Sequence, residues 1–397
     1  MRRRAFLTAS LAAAAAPAVS AAAAEPAAHV TEERLHGRRA FVLQNTKMRV
    51  AVLQGGGFIG EVRLTGADPA SNINPMRVAH YQTIDPYTYD IRRDGARYGA
   101  GMQRRLMSGY MGHFTCFPHF AASSRAELEQ DYGQHGELIA VKWERLRAAR
   151  ESLAMAAALP ATNYLFERRI TMQPDETVAY VTETAENMAR YDRPYQWVQH
   201  TTFGPDFVQI GKTFADGAVA NVVLGRGAEA KTTGWPSGPN ANDAPRDYRV
   251  FSGQGSLWLL QQAAPRSYCT LYNENYGILI GYVFEAAKNP WLLDYQENMR
   301  VTETPWDGKV VMRGLCFGNS VTSGGLRNAV QQRSMLDVPS YDWIEARQRI
   351  DRTYAIFIAE VGLGFRGVAS LTAAGGKIAI VERETGRRIE IAASGLA

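Results

Sequence analysis

The chain has 397 residues, 46% of them hydrophobic and 21% charged, with 36 Gly and 17 Pro; this is the composition of a globular protein of one large or two ordinary domains. Three units of the formal charge of +5 come from Arg2, Arg3 and Arg4, and no dense Lys/Arg block follows, which excludes nucleic acid as an expected partner. Cys116, Cys269 and Cys316 are odd in number and widely spaced, which argues against a disulfide framework.

Residues 1–24 read as a targeting segment. Arg3-Arg4-Ala5-Phe6-Leu7 is a twin-arginine signature, an Ala-rich apolar stretch follows, and Ala22 to Ala24 offer a small-residue cleavage site. The stretch is too short to span a bilayer and no other apolar run approaches membrane length. The expectation is therefore a periplasmic or secreted protein with no membrane partner once the segment is removed. Residues 25–39 are expected to be a flexible lead-in and residues 40–397 a single domain.

From residue 40 the pattern turns to strands. Residues 41–43 and 48–53 flank a polar Asn45-Thr46-Lys47 turn, a hairpin pattern. Gly55-Gly56-Gly57 precedes a strand at 58–64 and lacks a Lys-Ser/Thr ending, so it is not a phosphate loop. Residues 67–104 are irregular, and a loop of that length usually carries function. A short helix is expected at 124–130, then strands at 138–144, 164–172 and 177–185, the last two joined by the Gln173-Pro174-Asp175-Glu176 turn. Residues 235–246 form a loop. Strands follow at 256–262, 268–273, 278–285 and 310–316, helices at 326–335 and 341–351, and strands again at 356–391. Short antiparallel strands with few helices make this an all-β chain, a large antiparallel sandwich. The strand–helix alternation of a nucleotide-binding α/β fold is missing.

Three stretches carry candidate chemistry. In residues 193–207, R-P-Y-Q-W-V-Q-H-T-T-F-G-P-D-F, His200 sits in a β-favouring run that Gly204-Pro205 stops. A titratable ring beside Trp197 suits a flat polar substrate such as a sugar, although a structural histidine fits the same pattern. In Gly133-Gln134-His135-Gly136-Glu137 the glycines let a ligand or another backbone approach His135, or merely turn the chain. Residues 296–318 combine Glu297, Trp306 and Arg313 around a turn. Trp197 and Trp306 are stacking platforms for a sugar or core aromatics. The loop Asp85-Pro86-Tyr87-Thr88-Tyr89-Asp90 offers Asp90 to sugar hydroxyls or packs internally. His113-x-x-Cys116-x-x-His119 has ligand types suited to zinc, but its spacing fits neither a helical HExxH nor a CxxC knuckle. No metal and no cofactor is expected. No G-x-S-x-G elbow supports serine catalysis.

Taken in order, His135-Gly136, Trp197-x-x-His200-x-x-Phe203-Gly204 and Arg313-Gly-Leu-x-Phe-Gly318 resemble the galactose mutarotase-like (aldose 1-epimerase-like) superfamily, and with Gly112-His113-Phe114 and Glu137 they resemble its exported bacterial branch. The resemblance covers residues 40–320. It implies a β-supersandwich that binds a mono- or oligosaccharide on its concave face. It further implies anomer interconversion, with His200 as acid, His135 bonded to the ring oxygen or a neighbouring hydroxyl, and a carboxylate as base. Substrate contacts would come from Trp197, Trp306, Arg313, Glu137, His113 and Asp90. Where the related pattern has a late-strand Glu, this sequence has Cys316, and a thiol is a poor base towards a hydroxyl. Glu297, Glu303 or Glu137 would then supply the carboxylate. The alternatives are a protein that binds sugar without turning it over, or a polysaccharide hydrolase or lyase on the same scaffold.

Overall fold

The computed structural model describes residues 29–66, 72–225, 229–239, 244–253 and 255–396. The targeting segment lies outside the described residues. Strands begin earlier than expected: His29–Leu35 pairs with Arg38–Gln44, so most of the anticipated lead-in is sheet. The hairpin from Arg38–Gln44 to Met48–Leu53 forms as read, its turn fixed by the Asn45 side chain accepting from the backbone N–H of Lys47 and Met48. Ile59–Leu64 completes this four-stranded meander.

Two eight-stranded antiparallel sheets form the body. The front sheet runs in the order Lys231–Thr233, Val219–Leu224, Ser256–Gln261, Trp291–Asn298, Val311–Gly318, Val198–His200, Phe114–Cys116, with Thr202–Phe203 also paired to Val311–Gly318. The back sheet runs Thr213–Gly217, Arg266–Asn273, Ile278–Glu285, Arg349–Glu360, Val178–Asn187, Tyr164–Met172, Ser152–Leu159, Glu144–Ala149. Between them lies the main core, which includes Leu315 and Phe317 of the front sheet and Ile280, Ile356 and Ile358 of the back sheet. A smaller three-stranded sheet, Val368–Ala374, Lys377–Glu382 and Arg388–Ala392, covers the other face of the back sheet through a cluster that includes Tyr272, Phe357 and Ile380.

Side chains alternate across each front-sheet strand because the pleat repeats every two residues. In Val311–Gly318, Leu315 and Phe317 enter the main core, while Met312 and Cys316 join a second cluster on the opposite face. Phe114, Cys116, Val198 and Leu293 lie on that same opposite face. This is the face that carries the site.

Two expectations are corrected, and one strand pair was not expected. Of residues 138–144, Leu138–Ala140 form a buried 3-10 turn rather than a strand; they are apolar and buried, and strand pairing begins only at Glu144. Residues 341–351 are not a helix, since Asp342–Ile344 and the start of Arg349–Glu360 are strands paired to Arg193–Tyr195 and Val178–Asn187. The Ala-rich segment 144–159 is a strand pair, although alanine is a weak strand former. The helices at Arg125–Glu129, with a Ser124/Glu127 capping box, and at Gly325–Gln332 fall where the sequence placed them. Among the described residues, no helix is long and apolar enough to cross a membrane.

Candidate functional site

A cleft of about 980 Å³ opens over the front sheet. Its floor comes from alternate residues of neighbouring strands: Trp258, Leu293, Tyr295, Met312 and His200. One wall is Leu106, Met107 and Tyr110 of the helix Arg104–Gly109 and its end, with Trp306. The other wall is the helix Gly325–Gln332 and the hairpin Ser334–Met335/Val338–Pro339, which bring Asn328, Gln332, Ser334 and Asp337 to the cleft.

His135 and His200 meet in this cleft. Their ring centroids are 4.9 Å apart and their planes nearly perpendicular. His200 stacks on Phe114 at 4.4 Å with an interplanar angle of 11°, and its Nδ1 lies 3.0 Å from Thr202 Oγ1, which is itself 3.0 Å from the Tyr110 hydroxyl. His135 has a left-handed backbone, φ +69°. The glycine after it is required by another backbone rather than by a ligand, because a Cβ on Gly136 would collide with the Phe117 carbonyl. His135 Nδ1 accepts from the Ala121 N–H at 3.2 Å and lies 3.2 Å from Cys116 Sγ. A backbone N–H can only donate, so the proton of the neutral ring is on Nε2, which lies 3.2 Å from the side-chain amide of Gln134, itself a residue of the cleft lining.

Both rings are nearly buried, and burial disfavours their charged forms. Desolvation holds His200 at about 3, reinforced by His113 and Arg77. Desolvation also pushes His135 well below the usual imidazole range, with His200 and His119 adding to it. Near neutral pH the pair is two uncharged imidazoles. Burial therefore opposes the proton-donor role expected of His200.

Trp306 lines the cleft as expected, but the other anticipated contacts sit elsewhere. Trp197 is in the main core, its Nε1–H donating to Glu183 at 3.2 Å, because it stands just before the strand Val198–His200 on the side away from the cleft. Arg313 is also on the core-side face, bound to both Asp294 oxygens at 2.9 and 2.8 Å and to the carbonyls of Arg249 and Tyr248. Glu297 caps the turn after its strand, accepting from the backbone N–H of Arg300 and Val301. Glu137 accepts from the N–H of Ala161 and Thr162 and from the Thr162 hydroxyl. Asp90 is the N-cap of the helix Ile91–Tyr98. His113 is buried against Gln199 at 2.8 Å. Each of these six is spent on holding structure. Cys116 turns to His135 and His119 to Ser123, so the His113/Cys116/His119 set does not converge. Among the described residues, no group of three or more His, Cys, Asp or Glu side chains is arranged to hold a metal ion.

Cys316, at the position expected for a carboxylate, is buried in the apolar layer with Cys116, Phe114 and Val198, and burial raises its thiol well above the ordinary range. Among the described residues, the carboxylate lining the cleft is Asp337. It stands at the hairpin tip beside Leu336, with both residues at positive φ. Sequence reasoning missed Asp337, Trp258, Tyr295 and Tyr110. The alternation of Ser256–Gln261 carried a signal for Trp258, but the sequence does not say which face the cleft occupies.

No protein-family model and no curated protein matches the sequence. Solved structures do match. A galactose mutarotase-like protein from Clostridium acetobutylicum aligns over 84% of this chain and 99% of its own, at 10% identity and a TM-score of 0.51. The galactose mutarotase related enzyme of Lactobacillus acidophilus aligns over 81% of this chain and 98% of its own, at 10% identity and a TM-score of 0.51. A candidate aldose 1-epimerase from Klebsiella pneumoniae subsp. pneumoniae aligns over 84% and 83%, at 10% identity and a TM-score of 0.56. With its two packed antiparallel sheets and a cleft on the outer face of one of them, the chain has the galactose mutarotase-like fold.

Proposed function

We propose that the cleft binds carbohydrate, and that the protein acts by holding a sugar rather than by interconverting its anomers. The observation that carries this is the meeting of His135 and His200, from distant segments, in a cleft lined with aromatic rings. Two neutral imidazoles offer an N–H donor and a ring-nitrogen acceptor, which is the pairing that sugar hydroxyls demand, and flat aromatic faces suit the C–H face of a pyranose. Anomer interconversion needs a base at the reacting hydroxyl, and the floor of the cleft presents Met312, with Cys316 buried on the same strand, where the resemblance implies a carboxylate. The twin-arginine segment adds the proposal that this binding takes place outside the cytoplasm.

Isothermal titration with sugars checks the reading. His200→Ala and His135→Ala are each expected to weaken binding about tenfold to hundredfold, the cost of leaving a buried polar partner unpaired. Unchanged affinity in both variants would end it.

An isomerase is the second reading, favoured by one observation: Asp337 lines the same cleft as the two histidines. Polarimetry of fresh α-glucose and α-galactose is expected to give the buffer rate with this protein. Acceleration that disappears in Asp337→Asn would establish the isomerase reading instead.

A further inference from the structure

We infer that the ligand of this cleft is an uncharged saccharide of at least two linked rings, and that phosphorylated and acidic sugars are rejected. The inference rests on the carbohydrate reading above and narrows its substrate class. Two independent features of the cleft carry it.

The first is charge. Among the described residues lining the cleft none is Lys or Arg, and the ionised one is Asp337. Two arginines near the cleft are occupied elsewhere. Arg77 lies behind Tyr110, stacked on its ring at 4.2 Å and bonded to its carbonyl. Arg300 is paired with Glu297 at 3.1 Å. The two histidines supply no positive charge either, since burial keeps them neutral. A phosphate or carboxylate entering the cleft would lose water and find no counter-charge, with Asp337 opposing it. In contrast, Gln134, Ser323, Asn328, Gln332 and Ser334 offer neutral donors and acceptors, the groups that hydroxyls pair with.

The second is extent. The floor crosses four adjacent strands, from Trp258 through Leu293 and Met312 to His200. At about 4.8 Å per strand this is roughly 14 Å, longer than one pyranose ring. The rings form a continuous series: Trp258 to Phe120 at 6.0 Å, Phe120 to His135 at 5.3 Å, His135 to His200 at 4.9 Å. The volume of about 980 Å³ stands at the upper end of the range of about 300–1,000 Å³ that drug-sized ligands fill. One sugar at the histidines would leave the Trp258 end empty.

The test is titration calorimetry of the whole protein with glucose, a panel of neutral trisaccharides (maltotriose, cellotriose, laminaritriose, mannotriose, xylotriose), glucose 6-phosphate and trigalacturonate. At least one neutral trisaccharide is expected to bind at least about tenfold tighter than glucose, and the two anionic sugars at least about a hundredfold weaker than it. Trp258→Ala, with Trp258→Phe as the milder change, is expected to lower trisaccharide affinity at least about tenfold more than glucose affinity. Anionic sugars that bind as tightly as neutral ones would overturn the charge argument. Equal affinities for glucose and every trisaccharide, unchanged by Trp258→Ala, would overturn the length argument. In either case the cleft remains a carbohydrate site. If none of these sugars binds, the carbohydrate reading itself falls.

Discussion

Glu183→Ala is expected to cost about 3–5 kcal/mol of folding stability, enough to unfold a marginal domain. Glu183 is fully buried between the sheets and accepts from five groups. One oxygen takes Arg168 Nε at 2.7 Å, the Thr115 hydroxyl at 2.9 Å and the Tyr354 hydroxyl at 3.3 Å. The other takes Gln199 Nε2 at 2.6 Å and Trp197 Nε1 at 3.2 Å. Removing the carboxylate strands the buried Arg168 guanidinium and leaves the Tyr354, Gln199 and Trp197 donors without a partner, while the Thr115 hydroxyl keeps Gln199 Oε1 at 2.9 Å. The consequence reaches the cleft, because Thr115 and Gln199 alternate with Phe114, Cys116 and His200 along two strands. Urea unfolding checks the prediction. The double variant Glu183→Leu/Arg168→Met, which removes both charges, is expected to recover part of the loss. A single-variant loss below about 1 kcal/mol would show that the network is not holding the sheets together.

Acid is the second strong lever. Desolvation holds His113 and His200 at about 3 and His135 well below its ordinary value. In the unfolded chain all three take protons near pH 6.5. Their folded pKa values are depressed, so the unfolded state binds more protons as pH falls below about 6.5, and stability rises with pH across that window. The folded state keeps its full stability above about pH 6.5 and loses roughly 4 kcal/mol per pH unit between about pH 5.5 and 4.5, one proton for each histidine. Unfolding free energies measured at pH 7.5, 6 and 5 check this, and His113→Gln is expected to remove about a third of the slope. A flat profile from pH 7.5 to 5 would contradict the burial of these rings as neutral groups.

The sequence made the class of fold legible because residues 58–64 alternate and the turns between strands carry Asn, Pro and Asp. It also brought His135 and His200 forward, since one sits between turn glycines and the other in a β-branched run. What it could not supply was facing. Trp197 and His200 lie three residues apart in one motif, and the pleat sends them to opposite faces of the sheet. Arg313 and Met312 are adjacent, and only Met312 reaches the cleft. Acidic residues misled for a related reason. Glu137, Glu297 and Asp90 stand beside chemistry-bearing neighbours in sequence, but each is consumed by backbone N–H groups at a turn or helix start. Asp337 gave no signal, because a hairpin far along the chain brings it back over the sheet. The strand pair in the Ala-rich run 144–159 was hidden for want of β-branched residues, and was set by tertiary pairing instead.

The placement of the indoles has a practical corollary. Of the seven tryptophans, Trp143, Trp197 and Trp291 are fully buried, Trp343 is largely exposed, and Trp258 and Trp306 line the cleft. A ligand that displaces water from those last two shifts their emission to the blue, while Trp343 keeps a solvent-exposed background against which the change is read. The protein therefore carries its own optical gauge of occupancy, and a titration followed by intrinsic fluorescence needs no label.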